Sequence, residues 1–383
     1  MSFNLTSKLP HVGTTIFTRM SDLAQQYQAL NLSQGFPDYE TDPKLVDLVS
    51  KYMKEGYNQY AFMAGVPVLR ERIAEKVENL YGIDIHPADE VTVTAGGTQA
   101  IFTAIASIIA VGDEVIIFEP AYDCYRPTVE LFGGRVIPVM LQAPDFEIDW
   151  NEVKHLVSDR TRMIILNNPN NPTGRVLQER DFLALQQLVE MTNILLVSDE
   201  VYEHLIFDDR RPHSMLQYES LRSRAFVVAS FGKLLHTTGW KVGYCIAPEK
   251  LTAEFRKVHQ FNVFSVHAPT QYAIADYLSN PEVYLSLPGF FQQKRDLLIE
   301  GLSGTGLDIL PCEGTYFLNV SYQRISNLPE LQFAELLTKE KGVAMIPISA
   351  FYATEVNQCL LRICFAKRTD TLSKAVDLLQ NIG

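Results

Sequence analysis

Two ionisable side chains directly follow apolar runs that are typical of buried strands. Lys233 comes three residues after the run AFVVAS, and Asp199 ends the run NILLVSD. A partly buried amine near a second cation, here Lys241, has a lowered pKa and can act as a nucleophile that forms a Schiff base. A buried Asp199 requires a cationic partner, and Tyr202, three residues later, could present a phenol to the same ligand. The ordinary alternatives are a solvated lysine and a helix N-cap aspartate.

Two turns after apolar runs carry residue types suited to binding anions or polar groups. VTVTA ends in Gly96-Gly97-Thr98-Gln99 before a helical pattern, and the free N–H groups at such a helix start favour a phosphate. A tight turn with Thr98 as N-cap explains the same residues, and neither a G-x-G-x-x-G motif nor a Walker A lysine follows. In the second turn, NNPNNPTG, the following proline holds Asn171 in extended geometry with its amide projecting, although many such loops have no further role.

One arginine lies inside a late apolar run. In Leu360-Leu361-Arg362-Ile363-Cys364, period-two alternation places Arg362 on the same face as Leu360 and Cys364, so this is not an ordinary polar face. A planar guanidinium in that setting is suited to binding a carboxylate through two hydrogen bonds. An edge strand whose arginine reaches towards solvent is the alternative.

The elements that must position these residues alternate between strands and helices. From about residue 90 to 247, short Val/Ile/Leu-rich runs alternate with helix-length segments such as 99–110 and 178–191. This pattern predicts βαβ units and an α/β fold with a mostly parallel sheet that is buried on both faces. Because open parallel sheets bind ligands at the carboxyl ends of their strands, the residues named above should lie close together.

The second half of the sequence has a different pattern. Long helices are predicted over 249–260, 269–278 and 281–302, and short strands with helices at 331–340 and 371–382 follow residue 306. We therefore predict a three-layer αβα large domain over residues 46–285. A smaller α+β domain would combine both chain ends, residues 1–45 and 286–383.

Composition excludes several classes of protein. The 383 residues include 33 Lys+Arg and 45 Asp+Glu, a net charge of −12 without a basic run, so nucleic acid is not an expected partner. Five cysteines without a C-x-x-C pair indicate a reducing compartment and argue against a metal site. The most apolar stretch, 100–111, is shorter than the ~20 residues of a membrane span, and MSFNLTSKLPHVGTTIF lacks a leader pattern. We expect no membrane partner and a cytoplasmic location.

In combination, the candidate residues indicate one type of chemistry. A phosphate turn, a carboxylate for a ring nitrogen, a phenol, a strand-end lysine and a late arginine are the parts of a pyridoxal-phosphate enzyme. Over essentially its whole length the sequence resembles the class I/II aminotransferases, which have the fold type I of pyridoxal-phosphate-dependent transferases. The motifs in family order are SQGFPD (33–38), NQYAFMAGVPVLR (58–70), NNPNNPTG (167–174), SDEVYE (198–203), SFGKLLHTTGWKVGY (230–244) and LRICFAK (361–367). TTIFTRMSDLA, SQGFPD and EPAYDCYRP are most similar to the methionine and kynurenine aminotransferase branch.

The resemblance implies pyridoxal 5′-phosphate as the cofactor and assigns it a set of binding residues. Lys233 would be the Schiff-base lysine and the base that moves a proton from the substrate Cα, and Asp199 would pair with the pyridine nitrogen. Tyr202 and Asn171 would hydrogen-bond the ring 3-oxygen, while Tyr122 would stack on the ring. The residues that would hold the phosphate are Gly97, Thr98, Gln99, Ser230 and Lys241.

The resemblance also implies the substrates and the assembly. Arg362 would bind the α-carboxylate of the amino acid, together with the backbone of Gly35 and the amide of Asn171. Tyr60 resembles the tyrosine that reaches the phosphate of the neighbouring subunit, so a homodimer is expected with Tyr60 shared across the interface. The implied reaction passes an amino group from an amino acid to a 2-oxo acid by a ping-pong mechanism.

Departures from the family pattern bear on the amino donor. Lys241 stands where aspartate aminotransferases carry arginine, and Thr98 stands where kynurenine aminotransferases commonly have an aromatic residue, which weakens the case for an aromatic preference. No second arginine is placed to bind a distal carboxylate, so methionine or another large apolar or aromatic amino acid is the expected donor. Phe17, with Ile16, Tyr39 and Phe264, could line an apolar pocket, and core packing is the alternative for these four.

Two other activities fit the same residues. A cysteine-S-conjugate β-lyase shares every residue above and differs in whether a β-substituent is expelled, and a kynurenine–oxoglutarate transaminase differs in its substrate. A non-catalytic regulator that binds pyridoxal phosphate is a more remote alternative, which the intact Lys233, Asp199 and Arg362 argue against.

Overall fold

A computed structural model of the chain describes residues 5–380 and 382. Its strands are β1 (Leu30–Asn31), β2 (Val91–Thr94), β3 (Glu114–Glu119), β4 (Arg135–Met140), β5 (Thr161–Asn167), β6 (Leu195–Asp199), β7 (Ala225–Ser230), β8 (Gly243–Ile246), β9 (Asp308–Ile309), β10 (Phe317–Ser321), β11 (Val343–Ala344), β12 (Ile346–Pro347) and β13 (Leu360–Cys364). Its α-helices are α1 (Ile16–Gln26), α2 (Pro43–Lys54), α3 (Pro67–Tyr81), α4 (Gly97–Ile108), α5 (Tyr125–Leu131), α6 (Trp150–Leu156), α7 (Glu179–Val189), α8 (Glu219–Arg222), α9 (Phe231–Leu234), α10 (Glu249–Asn262), α11 (Ala268–Tyr277), α12 (Glu282–Leu285), α13 (Leu287–Leu302), α14 (Glu330–Leu336) and α15 (Thr369–Leu379).

A seven-stranded sheet has the order β2-β8-β7-β6-β5-β3-β4. All the neighbouring pairs from β7 to β4 are parallel, whereas β8 runs antiparallel to both of its neighbours. The mostly parallel α/β sheet predicted from the Val/Ile/Leu-rich runs is therefore confirmed.

Side chains on both faces of this sheet are buried. In β3, Val115 and Ile117 pack in one apolar cluster with Ile101 of α4 and Phe255 of α10. The intervening Ile116 belongs to the larger cluster on the opposite face. Helices on both sides of the sheet produce the three-layer arrangement, which explains why its strands are continuously apolar.

A smaller antiparallel sheet in the C-terminal part has the order β12-β13-β10-β9. Arg362 in β13 lies between Ile346 of β12 and Asn319 of β10, so the alternative of an edge-strand arginine is wrong. Strand β1 pairs in parallel with β11, which places the N-terminal segment beside this part of the chain. The domain boundaries of 46–285 and of 1–45 with 286–383 stay a prediction.

Three predicted helices differ in the structure. The helix predicted over 281–302 is divided at Ser286 into α12 and α13, because Pro288 has no N–H for the carbonyl four residues earlier and its ring crowds that carbonyl. The helix predicted over 331–340 is α14 followed by a π-helical turn, Leu337–Lys341. The helix predicted over 371–382 ends at Leu379, and residue 381 lies outside the described residues.

Three adjacent parallel strands end at the same edge of the large sheet. The last residues of β5, β6 and β7 are Asn167, Asp199 and Ser230. This edge is where a doubly wound sheet binds its ligand. Within residues 5–380 and 382, no helix has the length and apolar character needed to cross a membrane.

Candidate active site

A cavity of about 420 Å³ opens at this edge of the sheet. It brings together residues that are up to 345 positions apart in the chain, from Phe17 to Arg362. The predicted site residues that line it are Phe17, Gly35, Gly97, Thr98, Tyr122, Asn171, Asp199, Tyr202, Ser230, Lys233, Lys241 and Arg362.

Gln99 does not line the cavity. Its side-chain oxygen accepts from the Ala95 N–H at 3.0 Å, and its amide nitrogen donates to the Thr103 hydroxyl at 2.6 Å. Ala95 lies just before α4, and Thr103 lies four residues after Gln99 on the same face of this helix. The side chain of Gln99 is therefore committed to the helix, and its backbone N–H is the group left for a phosphate.

Tyr60 also lies outside the cavity lining. Its side chain is 86% exposed, and its ring packs edge-on against Phe264 with centroids 5.4 Å apart. Of the other residues predicted for an apolar pocket, Ile16, Tyr39 and Phe264 do not line the cavity. Tyr39 packs against Phe290 instead.

The amine of Lys233 lies on the cavity wall between two oxygens. Its Nζ donates to the Gly35 carbonyl at 3.1 Å and to the Tyr316 hydroxyl at 2.8 Å. Burial lowers the pKa of Lys233 to about 8, and the charges of Arg362 and Lys241 act in the same direction. A substantial fraction of the amine is therefore neutral near physiological pH, as a nucleophile or base requires.

Asp199 is a buried carboxylate at the end of β6, with 3% of its surface exposed. The Tyr125 hydroxyl donates to its Oδ2 at 2.5 Å, and the Val201 N–H donates to its Oδ1 at 3.3 Å. Burial raises the pKa of Asp199 to about 6, although both hydrogen bonds oppose this shift. A cationic group in the cavity would stabilise the ionised form.

Arg362 is 1% exposed and has one unsatisfied donor. Its Nη1 donates to Asn171 Oδ1 at 2.6 Å, its Nη2 donates to the Ser33 carbonyl at 3.0 Å, and its Nε has no partner. The guanidinium carbon lies 3.8 Å from the centroid of the Phe317 ring. Burial lowers the pKa of Arg362 to about 10, which still leaves it charged. An unpaired buried donor is costly, and Arg362 is the arginine that lines the cavity among the described residues.

The start of α4 contributes Gly96, Gly97 and Thr98 to the cavity lining. The N-cap residue is Gly96, with φ 82° and no side-chain cap, so the alternative of Thr98 as N-cap is wrong. A Cβ on Gly97 would lie 2.9 Å from the Val201 side chain, and a Cβ on Gly96 would lie 3.5 Å from the Lys241 amine. The short contact favours glycine at position 97 and the positive φ favours it at position 96, where 3.5 Å is an ordinary van der Waals distance. The helix start beside Lys241 therefore has no side-chain cap.

Two tyrosines, Tyr122 and Tyr202, also line the cavity. Tyr202 is buried, and its ring centroid is 5.5 Å from the Lys233 amine. The Tyr122 hydroxyl is 3.4 Å from the Thr98 hydroxyl. Tyr202 thus lies beside the Lys233 amine, and Tyr122 lies beside the start of α4.

Sequence reasoning missed several side chains that hold the predicted ones. Tyr125 bonds Asp199, Tyr316 bonds Lys233, and the Asp123 side chain lines the cavity. Tyr125 and Asp123 lie in the motif EPAYDCYRP, in which only Tyr122 is a predicted site residue. Tyr316 directly precedes β10, next to the strand that carries Arg362, and had no pattern of its own to mark it.

The chemistry of these donors fits pyridoxal 5′-phosphate. The uncapped helix start with Lys241 suits a dianionic phosphate, the buried Asp199 suits a protonated ring nitrogen, and the Lys233 amine suits an aldehyde. The guanidinium of Arg362 lines the same cavity, and its charge suits a carboxylate. The part of the chain that the structure describes contains no group of three or more His, Cys, Asp or Glu residues arranged to hold a metal ion.

Comparisons with known proteins agree with this site. The family model for aminotransferase class I and II matches residues 27–379. Methionine aminotransferase of Escherichia coli (strain K12) is 51% identical over 377 residues, which cover 98% of each chain. Mouse kynurenine–oxoglutarate transaminase 1 is 33% identical over 393 residues, covering 93% of this chain and 92% of that protein.

A solved structure extends the similarity to three dimensions. The crystal structure of YbdL from Escherichia coli, for which a methionine aminotransferase function is described, has a TM-score of 0.97 at 50% identity. The match covers 99% of this chain and 100% of that one. The chain therefore belongs to the class I and II aminotransferases and is a pyridoxal-phosphate-dependent transaminase.

Proposed function

We propose that this transaminase takes its amino group from methionine, or from another large apolar or aromatic amino acid, and passes it to a 2-oxo acid by a ping-pong mechanism. The observation that carries the proposal is the 51% identity to a methionine aminotransferase over 98% of both chains. Arg362 is the one arginine in the lining contributed by the described chain, and apolar walls come from Phe17, Ile101 and Phe317. These walls favour an uncharged substrate side chain.

Arg362 would orient the substrate. Its guanidinium, which lines the cavity, would bind the α-carboxylate, while Asn171 and the Ser33 carbonyl hold the group in place. The ring of Phe317 lies against the guanidinium and limits its movement. Holding the carboxylate in this way aligns the Cα–H bond for proton removal.

Lys233 would transfer the proton, and the residues around it would bind the cofactor. Bound pyridoxal phosphate supplies a ring that withdraws electrons from the substrate Cα. Lys233 would hold the cofactor through its amine and, once free, take the proton from Cα, since its lowered pKa keeps it partly neutral. Asp199 would hold the ring nitrogen in its protonated form, and Tyr202 with Asn171 would bond the ring 3-oxygen.

The phosphate and the ring face complete the proposed cofactor site. The N–H groups of residues 97–99, with the side chains of Thr98, Ser230 and Lys241, would hold the phosphate. Tyr122 would stack on the ring. Lys241 acts as a point charge, so we expect the uncapped helix start to supply the directed hydrogen bonds.

We further propose that the active unit is a homodimer. Tyr60, Phe62 and Phe261 are exposed aromatic side chains, and Phe264, which contacts Tyr60, is 41% exposed. A second copy of the chain would cover them and bring Tyr60 to the phosphate of the partner's site. The five cysteines are all free, which supports a cytoplasmic location for this dimer.

A donor screen tests the substrate proposal. Purified holoenzyme is supplied with each of the twenty amino acids and several 2-oxo acids, and kcat/KM is measured for each pair. We expect methionine to exceed aspartate and glutamate by at least about 100-fold, because their distal carboxylate would be buried without a partner. Equal use of aspartate and methionine would refute the proposal.

A second candidate activity is the kynurenine–oxoglutarate transaminase or cysteine-S-conjugate β-lyase reaction. It is favoured by the 33% identity to a kynurenine–oxoglutarate transaminase over 93% of this chain. The same screen with kynurenine measures the first, and pyruvate release from a β-chloro or S-conjugate amino acid reveals the second. A higher kcat/KM for kynurenine than for methionine would make it the main activity.

Mixed dimers test the role of Tyr60. Lys233→Ala and Tyr60→Ala proteins are each expected to be nearly inactive, and a mixed dimer contains one site with both an intact Lys233 and a partner's intact Tyr60. We therefore expect activity to return when the two are unfolded and refolded together. No recovery, with dimers present by size-exclusion chromatography and light scattering, would show that Tyr60 does not act across the interface.

A further inference from the structure

Four consecutive backbone carbonyls, residues 33–36, each accept a hydrogen bond from a cationic side chain. We call these residues the carbonyl strip. Arg362 donates to the first carbonyl at 3.0 Å, and Lys233 donates to the third at 3.1 Å. Lys367 donates to the second at 3.4 Å and to the fourth at 2.8 Å. The two proposed active-site cations therefore share one short backbone segment with a third cation that has no role so far.

Lys367 is unusual because it is buried without a counter-ion. Its surface is 3% exposed, and among residues 5–380 and 382 it forms no ion pair. Apart from the two carbonyls, its amine has the Phe36 ring, with the centroid 5.0 Å away. A buried ammonium without a carboxylate is costly. The two hydrogen bonds to the carbonyl strip partly compensate for this burial.

The two bonds from Lys367 bracket Gly35. The Gly35 carbonyl, between them, accepts from the Lys233 amine and from the Tyr316 hydroxyl, the latter at 2.5 Å. On its other side a Cβ on Gly35 would lie 2.8 Å from the Phe317 ring, so the backbone here is held against that ring. Lys367 thus fixes the peptide groups on either side of the oxygen that holds Lys233.

We propose that Lys367 is a positioning residue for proton transfer: it fixes the carbonyl strip so that Gly35 holds the Lys233 amine in its reactive position. The inference rests on the proposed role of Lys233 as the base. Lys367 does not itself line the cavity, and it contacts two residues that do, Gln34 and Phe36, through their backbone carbonyls and the Phe36 ring. It therefore acts through the backbone and not on the reacting atoms. Its loss therefore affects the rate of the chemical step more than the binding of methionine.

Replacement of Lys367 by methionine gives a quantitative expectation. Methionine, like lysine, has an unbranched side chain, but it is apolar and cannot donate a hydrogen bond to either carbonyl. We expect kcat for methionine to fall about tenfold while KM changes less than about threefold, since a misplacement well below 1 Å costs less than the ~100-fold assigned to a full ångström. Lys367→Arg, which can donate to two carbonyls at once, should recover most of the rate.

The experiment compares holoenzymes in single turnovers with methionine, followed by the absorbance of the bound cofactor. Lys294→Met is the matched control, because the Lys294 amine donates to the Lys367 backbone carbonyl at 2.7 Å and does not touch the strip. It should keep the wild-type rate. Amide hydrogen exchange of the 33–41 segment, measured without substrate, should become faster in Lys367→Met and return towards wild type in Lys367→Arg.

The outcomes separate this inference from the proposed function. If Lys233→Ala is inactive while Lys367→Met keeps the wild-type rate, the positioning role of Lys367 is overturned and the proposed role of Lys233 stands. Equal rate losses in Lys367→Met and Lys294→Met, or no recovery in Lys367→Arg, would also overturn it. If Lys367→Met does not fold, Lys367→Gln, which keeps an N–H donor without the charge, should show a smaller loss of kcat at a similar KM, and an unchanged kcat would count against the proposal.

Discussion

Replacement of Asp199 by asparagine should stabilise the cofactor-free protein while it inactivates the enzyme. Asp199 is 3% exposed, and burial raises its pKa from the ordinary value of 3.8 to about 6. The folded chain thus binds this proton more tightly than the unfolded chain does. Ionisation of Asp199 therefore lowers the free energy of unfolding as pH rises from 3.8 through 6.

The size of this cost follows from the two pKa values. Their difference corresponds to about 3 kcal/mol at pH 8, where the carboxyl is ionised in both states. At pH 5 the folded state is mostly protonated, and the cost falls to about half. Asp199→Asn removes the charge and keeps an oxygen that can accept from Tyr125, but its new N–H groups lack an acceptor. We therefore expect a gain of about 1 to 3 kcal/mol at pH 8 and less at pH 5.

Urea unfolding of cofactor-free protein at pH 5 and pH 8 measures this difference. Glu200→Gln is a matched control, since Glu200 is the adjacent buried carboxyl, with a pKa raised by burial to about 7, and it does not line the cavity. Glu200→Gln should gain stability at pH 8 and keep its activity. Asp199→Asn should lose at least about 100-fold in kcat. If Asp199→Asn is less stable than the wild-type protein, and by the same amount at pH 5 as at pH 8, the reasoning is refuted.

Three further results are expected from the site. Tyr316→Phe removes one partner of the Lys233 amine and should lower kcat about two- to tenfold with little change in the unfolding temperature; an unchanged single-turnover rate would count against that hydrogen bond. Arg362→Met should raise KM for methionine at least about 100-fold, because it removes the charged carboxylate partner and frees Asn171; unchanged affinity would mean that the carboxylate site is elsewhere. Because burial lowers the pKa of Lys233 to about 8 and its neutral form is the base, the single-turnover rate should rise with pH and level off above 8; a flat profile from pH 6 to 9 would contradict this.

The sequence was informative where chemistry follows a buried strand. Asp199 and Ser230 end strands whose apolar runs are unmistakable, and parallel neighbours end at the same edge, so their meeting could be predicted. The direction of β8 could not, because a strand buried on both faces is continuously apolar whichever way it runs. The break at Ser286 was readable in principle from Pro288.

Other features depend on contacts between distant parts of the chain. Alternation in β13 placed Arg362 on an apolar face, but its partner carbonyl, Ser33, lies 329 residues away. Tyr316 had no strand-end or turn signal, and Lys367, the last residue of the motif LRICFAK, had no signal that it contacts residues 34 and 36. These contacts are visible only in the folded chain. Gln99 shows the opposite case, since a hydroxyl four residues further along its helix could have indicated that its side chain turns away from the phosphate.

The proposed role of Lys233 can be measured in a single turnover. Wild-type holoenzyme mixed with methionine should lose the absorbance of the aldehyde form of the cofactor within one catalytic cycle. Lys233→Ala protein, with its cofactor bound and its fold intact by circular dichroism, should be slower by about a thousandfold or more, because no other amine lies at that position. Full amino transfer from methionine by Lys233→Ala would contradict the mechanism.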